Sequence, residues 1–184
     1  MKNVSDLKTA ILYAQAMYDG SDEIHQLDAL YSDAEVLGGI VNEKREDFSK
    51  LNNPLWKYSQ KEGVLTDICK KLGLSQSMLN TLKLLAQNGK LNILEQTLQQ
   101  FILLYQKKHN IAEVEITTVI PLTSSQENLL KSKLENIFHK QIILRYVINP
   151  QIIGGLVIKY GTNFIDNSIK HKLRALEQLM KGTK

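Results

Sequence analysis

At 184 residues the chain can form one large domain or two small ones. Its 43% hydrophobic and 23% charged residues exclude wholesale disorder, and ten Gly with three Pro exclude a collagen-like or linker-like chain. The net charge of +4 is split: residues 1–35 hold two Lys against seven acids, a front end poorly suited to neutralising phosphates, whereas residues 106–184 hold 12 basic against six acidic residues.

The first helix is expected from Ser5, as N-cap, to about Tyr18, with Asp6 in the first turn where the helix dipole favours an acid. Gly20 should end it and Ser21 cap a second helix with Ile24, Leu27, Tyr31, Ala34, Leu37 and Val41 on one face; Gly38-Gly39 weakens its end. Asn52-Asn53-Pro54 marks a break. Two short helices follow, about 54–61 and around Leu65, Ile68, Cys69 and Leu72, the second closed by Gly73. Ser75 caps a helix with Met78, Leu79, Leu82, Leu85 and Ala86 apolar, stopped by Asn88-Gly89. The sixth carries Leu94, Leu98, Phe101 and Tyr105, with Lys107-Lys108 at its C-terminal end.

The period then changes. In residues 111–120, Ala112, Val114 and Ile116 alternate with Glu113, Glu115 and Thr117, the pattern of a strand with one wet face, ended by Pro121. Ser124 with Glu127 reads as a capping box opening a helix with Leu130, Leu134, Ile137 and Phe138. Strands are expected at 142–148 and, after Asn149-Pro150 and Gly154-Gly155, at 156–160. Asp166 and Ser168 stand before a last helix with Ile169, Leu173, Leu176 and Met180 on one stripe. The expected fold is therefore α+β in two domains. Residues 1–108 form an N-terminal six-helix bundle, and residues 109–184 a small α/β domain with a mixed sheet.

Reactive groups are not gathered by any of the spacings that mark phosphate loops, zinc helices or nucleophile elbows. His25, His109, His139 and His171 are far apart, so no metal or cofactor is expected. Cys69, the single cysteine, cannot form an internal disulfide and falls on an apolar stripe, where a buried thiol is a commoner reading than a nucleophile. Gly154-Gly155 fits a strand-entry turn or an anion cradle; Asp166 with Ser168 fits helix capping or a catalytic pair. The N-terminus lacks a secretory or transit pattern and no window approaches a membrane span, so a soluble cytosolic protein, or one held at a membrane by something else, is expected.

The first helix is apolar over too wide an arc. Leu7, Ile11, Ala14 and Tyr18 fall within about 60°, and Ala10, Tyr13 and Met17 widen this to about 160°, with Leu12 and Ala16 on yet another side. A surface helix usually buries a stripe of about 100°. Such a helix is either central in its bundle or lends a wall to a groove for a partner helix. The helix at 75–88 shows a similar surplus at Leu84.

Residues 149–161, Asn-Pro-Gln-Ile-Ile-Gly-Gly-Leu-Val-Ile-Lys-Tyr-Gly, followed by Ile165-Asp-Asn-Ser-Ile-Lys-His-Lys-Leu173, resemble the C-terminal signature of the delta subunits of F-type ATP synthases, the family of the mitochondrial oligomycin-sensitivity-conferring protein. Tyr13-Ala14-x-Ala16, Ala86-Gln-Asn-Gly-Lys-Leu91 and Pro121-Leu-Thr resemble its other motifs in the same order; Thr162 stands where an acid is usual, and Ile169 where Val is usual. The resemblance implies a non-catalytic stator subunit at the cytoplasmic face of a bacterial membrane, touching the membrane only through the complex and binding no nucleic acid. It implies that the N-terminal helix of an α subunit of the catalytic head enters a groove between the first and fifth helices, with Tyr13, Ala14, Met17 and Leu84 as walls. The C-terminal domain would take the end of the b-subunit stalk, and Gly154, Gly155, Gly161, Asp166, Ser168 and Leu173 would be its structural motif. Two readings compete on composition alone: a nucleic-acid-binding or regulatory adaptor with a basic rear, and an enzyme with a dispersed site.

Overall fold

Apolar residues at third and fourth spacing wind the first segment into α1 (Val4–Glu23), which buries Ala10, Ala14, Met17, Tyr18 and Ser21. The structure, a computed structural model, describes residues 4–23, 26–51, 53 and 56–181. Ser5 lies inside α1 and is not its N-cap; its carbonyl accepts a bond from Thr9 Oγ1 at 2.9 Å. The helix also runs through Gly20. Ser21, expected to cap the next helix, is only 4% exposed and extends the buried face of α1 by another turn. That burial outweighs the roughly 1 kcal/mol a helical glycine costs. Residues Ile24 and His25, and Asn52 and Pro54 of the expected break, lie outside the described residues.

The next helix, α2 (Leu27–Glu43), buries Leu27, Leu30, Tyr31, Ala34, Leu37 and Val41 and passes through Gly38-Gly39 without interruption. A seven-residue helix, α3 (Arg45–Leu51), was not legible in the sequence. The two short helices expected at 54–61 and around Leu65 are one, α4 (Tyr58–Leu72): Lys61, Leu65 and Cys69, spaced i, i+4, i+8, are all buried and carry the face across Gly63. Gly73, at φ 66°, closes it. Ser75 Oγ accepts from Met78 N at 3.3 Å to open α5 (Gln76–Gln87), which ends at Asn88 and Gly89. A 3-10 turn, Leu91–Ile93, leads into α6 (Leu94–Lys108).

Phe101, Leu30, Leu37, Leu65 and Met78 are fully enclosed at the centre of this helical part. Polar bonds fix the helices to one another around it. Ser75 N donates to Asp33 at 2.7 Å, Lys83 pairs with Glu62 at 2.8 Å, and Tyr105 OH donates to Asp28 at 2.6 Å while its ring stacks on Tyr31 at 4.2 Å. Burial, and then the Asp28 carboxylate, push the Tyr105 hydroxyl well above the usual tyrosine range.

The chain divides into two compact units between Gln106 and Lys107, in the last turn of α6. The second unit begins with β1 (Ile111–Thr118), whose alternate residues are buried. It stops short of Ile120, whose carbonyl accepts a bond from Thr118 Oγ1 at 2.8 Å. Next comes α7 (Ser124–Phe138). Its capping box is Thr123 with Gln126, one residue earlier than the expected Ser124 with Glu127, because Thr123 Oγ1 accepts from Gln126 N and the Gln126 side chain accepts from Thr123 N. After it, β2 (Gln141–Ile148) pairs in parallel with β1. A 3-10 turn, Pro150–Ile152, precedes β3 (Leu156–Tyr160), antiparallel to β1. A further strand, β4 (Asn163–Asp166), pairs with β3 and was not anticipated. The sheet order is β2-β1-β3-β4, a mixed sheet. Leu134 of α7 packs on Ala112, Val114, Ile116 and Ile142 to make the core of this unit. The last helix is α8 (Ile169–Lys181). The architecture is thus α+β, helical first and then a small α/β unit.

Candidate partner-binding cleft

Helix geometry assigns α1 two apolar sides. The buried residues Ala10, Ala14, Met17 and Tyr18 form one; Leu12 and Ala16, an i, i+4 pair, form the other and are exposed, Leu12 at 71%. In the same way α5 buries Met78, Leu82, Leu85 and Ala86 while Asn80, Thr81 and Leu84 share a different face. Between these outer faces lies an open cleft of about 170 Å³, lined by Tyr13, Ala16 and Met17 of α1 and by Asn80, Thr81 and Leu84 of α5. Asn88 Nδ2 donates to Tyr13 OH at 2.9 Å, tying the end of α5 to α1.

Three of the four residues expected at a groove wall therefore meet there: Tyr13, half-buried; Met17, buried in the floor; and Leu84, 46% exposed. Ala14 does not. It is 1% exposed and packs into the helical core, so the expectation that it lines the groove is corrected; two residues on, about 200° round the helix, Ala16 takes that place. Thr81 and Asn80 bring polar atoms already bonded within α5, to Ser77 O at 3.0 Å and from Gln76 Nε2 at 2.9 Å. The lining thus offers apolar surface with little unsatisfied polarity and no nucleophile or acid–base pair. Its volume suits one or two side chains of a helix lying across it, not an enclosed small molecule.

The second unit resolves the Gly-Gly ambiguity. Gly155 has φ 81°, and a Cβ there would strike the Asn167 carbonyl oxygen and lie 3.2 Å from Ser168 Cα; at Gly154 it would lie 2.7 Å from Ile169 Cδ1. This is a tight passage of the strand entry beneath the start of α8, with no room for an anion. Ile169 N donates to Gly154 O at 2.9 Å and Asn167 N to Leu156 O at 3.1 Å, stitching the two segments. Gly161, at φ 57°, makes the turn from β3 to β4. Asp166 Oδ1 accepts from Ser168 N at 2.8 Å and Ser168 Oγ from His171 N at 3.1 Å, so both residues cap α8. Those Ser168 bonds, and then the nearby His171 and Arg174, hold the Asp166 carboxyl below the usual carboxylate range. The fold is therefore stabilised by this group above its unfolded titration, and loses that stabilisation as pH falls through its lowered folded value. Asp166→Ala should lower the melting temperature of the second unit at neutral pH, and the difference from the native chain should shrink on acidification through that value, as followed by circular dichroism.

Cys69 is 3% exposed, and burial raises its thiol above the ordinary range, the state of an inert core cysteine. Among the described residues no group of three or more His, Cys, Asp or Glu could hold a metal ion, and no helix is long and apolar enough to cross a membrane.

Residues 10–180 match the family model described as ATP synthase delta (OSCP) subunit. This chain belongs to the ATP synthase delta (OSCP) subunit family. Relatives include the ATP synthase subunit delta of Roseobacter denitrificans, 30% identical over 94% of this chain and 92% of that protein, and the subunit delta of Clostridium acetobutylicum, 30% identical over 91% and 93%. The chloroplastic ATP synthase delta chain of Chlamydomonas reinhardtii is 29% identical over 92% of this chain and 78% of its own length. The fold is shared with a chain of the Toxoplasma gondii mitochondrial ATP synthase hexamer, at a TM-score of 0.67 and 20% identity, covering 95% of this chain and 98% of that one. As a delta (OSCP) subunit it is a structural stator component of an F-type ATP synthase and not an enzyme, which replaces both the adaptor and the dispersed-site readings.

Sequence reasoning missed Ala16, Asn80 and Thr81 as parts of the cleft, and Asn88 as the residue that holds Tyr13 at its edge. A signal for two of them was available: Asn80 and Thr81 precede Leu84 by four and three residues and must share its side of the helix. The final helix of this delta-family chain also departs from an ordinary core element. No residue of α8 is buried, and its stripe of Ile169, Leu173, Leu176 and Met180 stands 45–82% exposed.

Proposed function

We propose that the α1–α5 cleft receives the N-terminal helix of an α subunit of the catalytic head, and that the apolar stripe of α8 packs on the end of the b-subunit stalk. Residues 1–108 would then hold the head and residues 109–184 the stalk, at the cytoplasmic face of a bacterial plasma membrane, with membrane contact only through the complex. The observation carrying this reading is the open apolar cleft between α1 and α5, lined by Tyr13, Ala16, Met17 and Leu84.

The mechanical logic follows. During ATP synthesis the rotor's torque acts on the head, and unless the head is held it turns with the shaft and no work reaches the catalytic sites. A stator joint needs tight non-covalent binding and no chemistry. Laying an amphipathic helix across the cleft, with Leu12 and Leu84 at its edges, is a route to burying about 800 Å² per partner. The exposed stripe of α8 offers a second apolar contact, flanked by Lys170, Lys172 and Arg174, which favour an acidic border on whatever covers it.

The test is calorimetry of the full-length chain with a synthetic peptide matching the N-terminal helix of the cognate α subunit. One-to-one binding at micromolar or tighter affinity, with a negative heat-capacity change from apolar burial, is expected. Absence of heat and of any spectral change at a peptide concentration of about 100 μM, with the helices intact by circular dichroism, would remove the assignment.

A further inference from the structure

The second unit carries another surface that the stator reading leaves unused. In the sheet, β2 pairs with β1 through all eight residues, from Ile111↔Gln141 to Thr118↔Ile148, and among the described residues no strand covers its other side. An edge of this length without proline or bulge is unusual in a lone protein, because its outward N–H and C=O groups invite another strand. Tyr146, Val147 and Ile148 on the same strand are 38%, 42% and 49% exposed. The one cation on the strand does not guard the edge, since Arg145 is paired with Glu113 on β1.

Alongside the edge runs a cleft of about 310 Å³. Ile142, Ile143, Leu144 and Tyr146 of β2 form one wall, and Glu127, Asn128 and Lys131 of α7 the other, with Tyr146 and Glu127 hydrogen-bonded to each other. The alternation of β2 turns Ile142, Leu144 and Tyr146 to the α7 side, so an added strand would direct every second side chain into the same cleft. Lys131 stands at its margin, one turn of α7 from Glu127.

We propose that the β2 edge takes an extended segment of a partner protein as a fifth strand, with apolar side chains at alternate positions in the β2–α7 cleft and an acidic group on Lys131. At one end of this edge the Ile142 N–H already donates to Glu135 Oε1 of α7 at 3.4 Å; the remaining row of backbone donors and acceptors is one that a helix cannot meet and a strand can. A second copy of this chain is disfavoured by charge: residues 106–184 carry 12 basic against six acidic residues, so two such units repel while an acidic strand is attracted. This surface is separate from the α1–α5 cleft, so its failure would leave the head-binding assignment standing.

The probe is the peptide acetyl-Thr-Val-Thr-Ile-Thr-Glu-amide, titrated into isotopically labelled full-length protein by NMR. Saturable shifts confined to residues 141–148 and 127–131 are expected, with slowed exchange of alternate β2 amides. Methylating the edge-facing amides of the peptide should abolish binding. Lys131→Glu should weaken the glutamate peptide about tenfold and favour its lysine counterpart. Shifts elsewhere, no shifts at millimolar peptide, an N-methylated peptide that still binds, or a protein that sediments as a dimer joined through β2 would each overturn the proposal.

Discussion

Gly155→Ala is expected to destabilise the second unit by about 3 kcal/mol or more, a large part of the roughly 5–15 kcal/mol that holds an ordinary domain. Two independent penalties meet at this position. The backbone sits at φ 81°, where an L side chain is strained, and the new Cβ would collide with the Asn167 carbonyl oxygen, a backbone atom that cannot swing aside as a side chain would. Relief would require moving Asn167, whose N–H bonds Leu156 O, and with it the Asp166–Ser168 cap of α8. Gly161→Ala is the matched control. It shares a positive φ, 57°, but has open space around it, so only the conformational penalty of about 1 kcal/mol applies. Urea unfolding of both variants, followed by exchange protection of β1 amides in the second unit, separates them. Equal stability of the two would mean that the strand entry does not pass so closely under α8. Retained protection of α2 and α6 amides in Gly155→Ala would locate the damage in the second unit alone.

How far the sequence foretold the structure depended on how local each cause was. Gly73, Ser75 and Asn88-Gly89 act through their own backbone and neighbours three or four residues away, and each stands where its chemistry placed it. Ser21 and Ser124 are equally good caps in isolation. Ser21 was overridden by burial from other helices, and Ser124 by a neighbouring threonine with a better-placed glutamine at N3. The β4 strand escaped notice because its four residues are mostly exposed and show no alternation; its existence rests on pairing with β3, a non-local fact. In the cleft, Leu84 was legible because it lies off the stripe of its helix. Ala14 was misplaced because a 160° arc does not reveal which of its edges faces the core. The stripe of α8 was read correctly as a stripe, but its exposure depends on what the rest of the chain leaves uncovered, which periodicity does not encode.

Leu84→Asp should weaken binding of the α-subunit helix by more than about 100-fold, roughly 3 kcal/mol, with little effect on folding. Leu84 is 46% exposed in the free chain, so a carboxylate there remains hydrated and costs the fold about 0.5 kcal/mol or less. Binding changes its surroundings. A helix laid over Tyr13, Met17 and Leu84 would strip water from the carboxylate, and the cleft supplies no cation to replace it, since its lining contains no Lys, Arg or His. The control is Val36→Asp, an equally exposed apolar residue, 49%, on the solvent side of α2, which should leave affinity unchanged. A pH titration distinguishes this mechanism from a simple loss of packing. In the complex the introduced carboxyl is desolvated and its titration moves up, so protonation favours the bound state and affinity should recover as pH falls through that raised value. Leu84→Ala removes packing without adding charge and should lose affinity by a constant factor across the same range. Identical pH profiles for the two variants would show that Leu84 stays in water when the helix binds, and the cleft would then have to be sought elsewhere on α1.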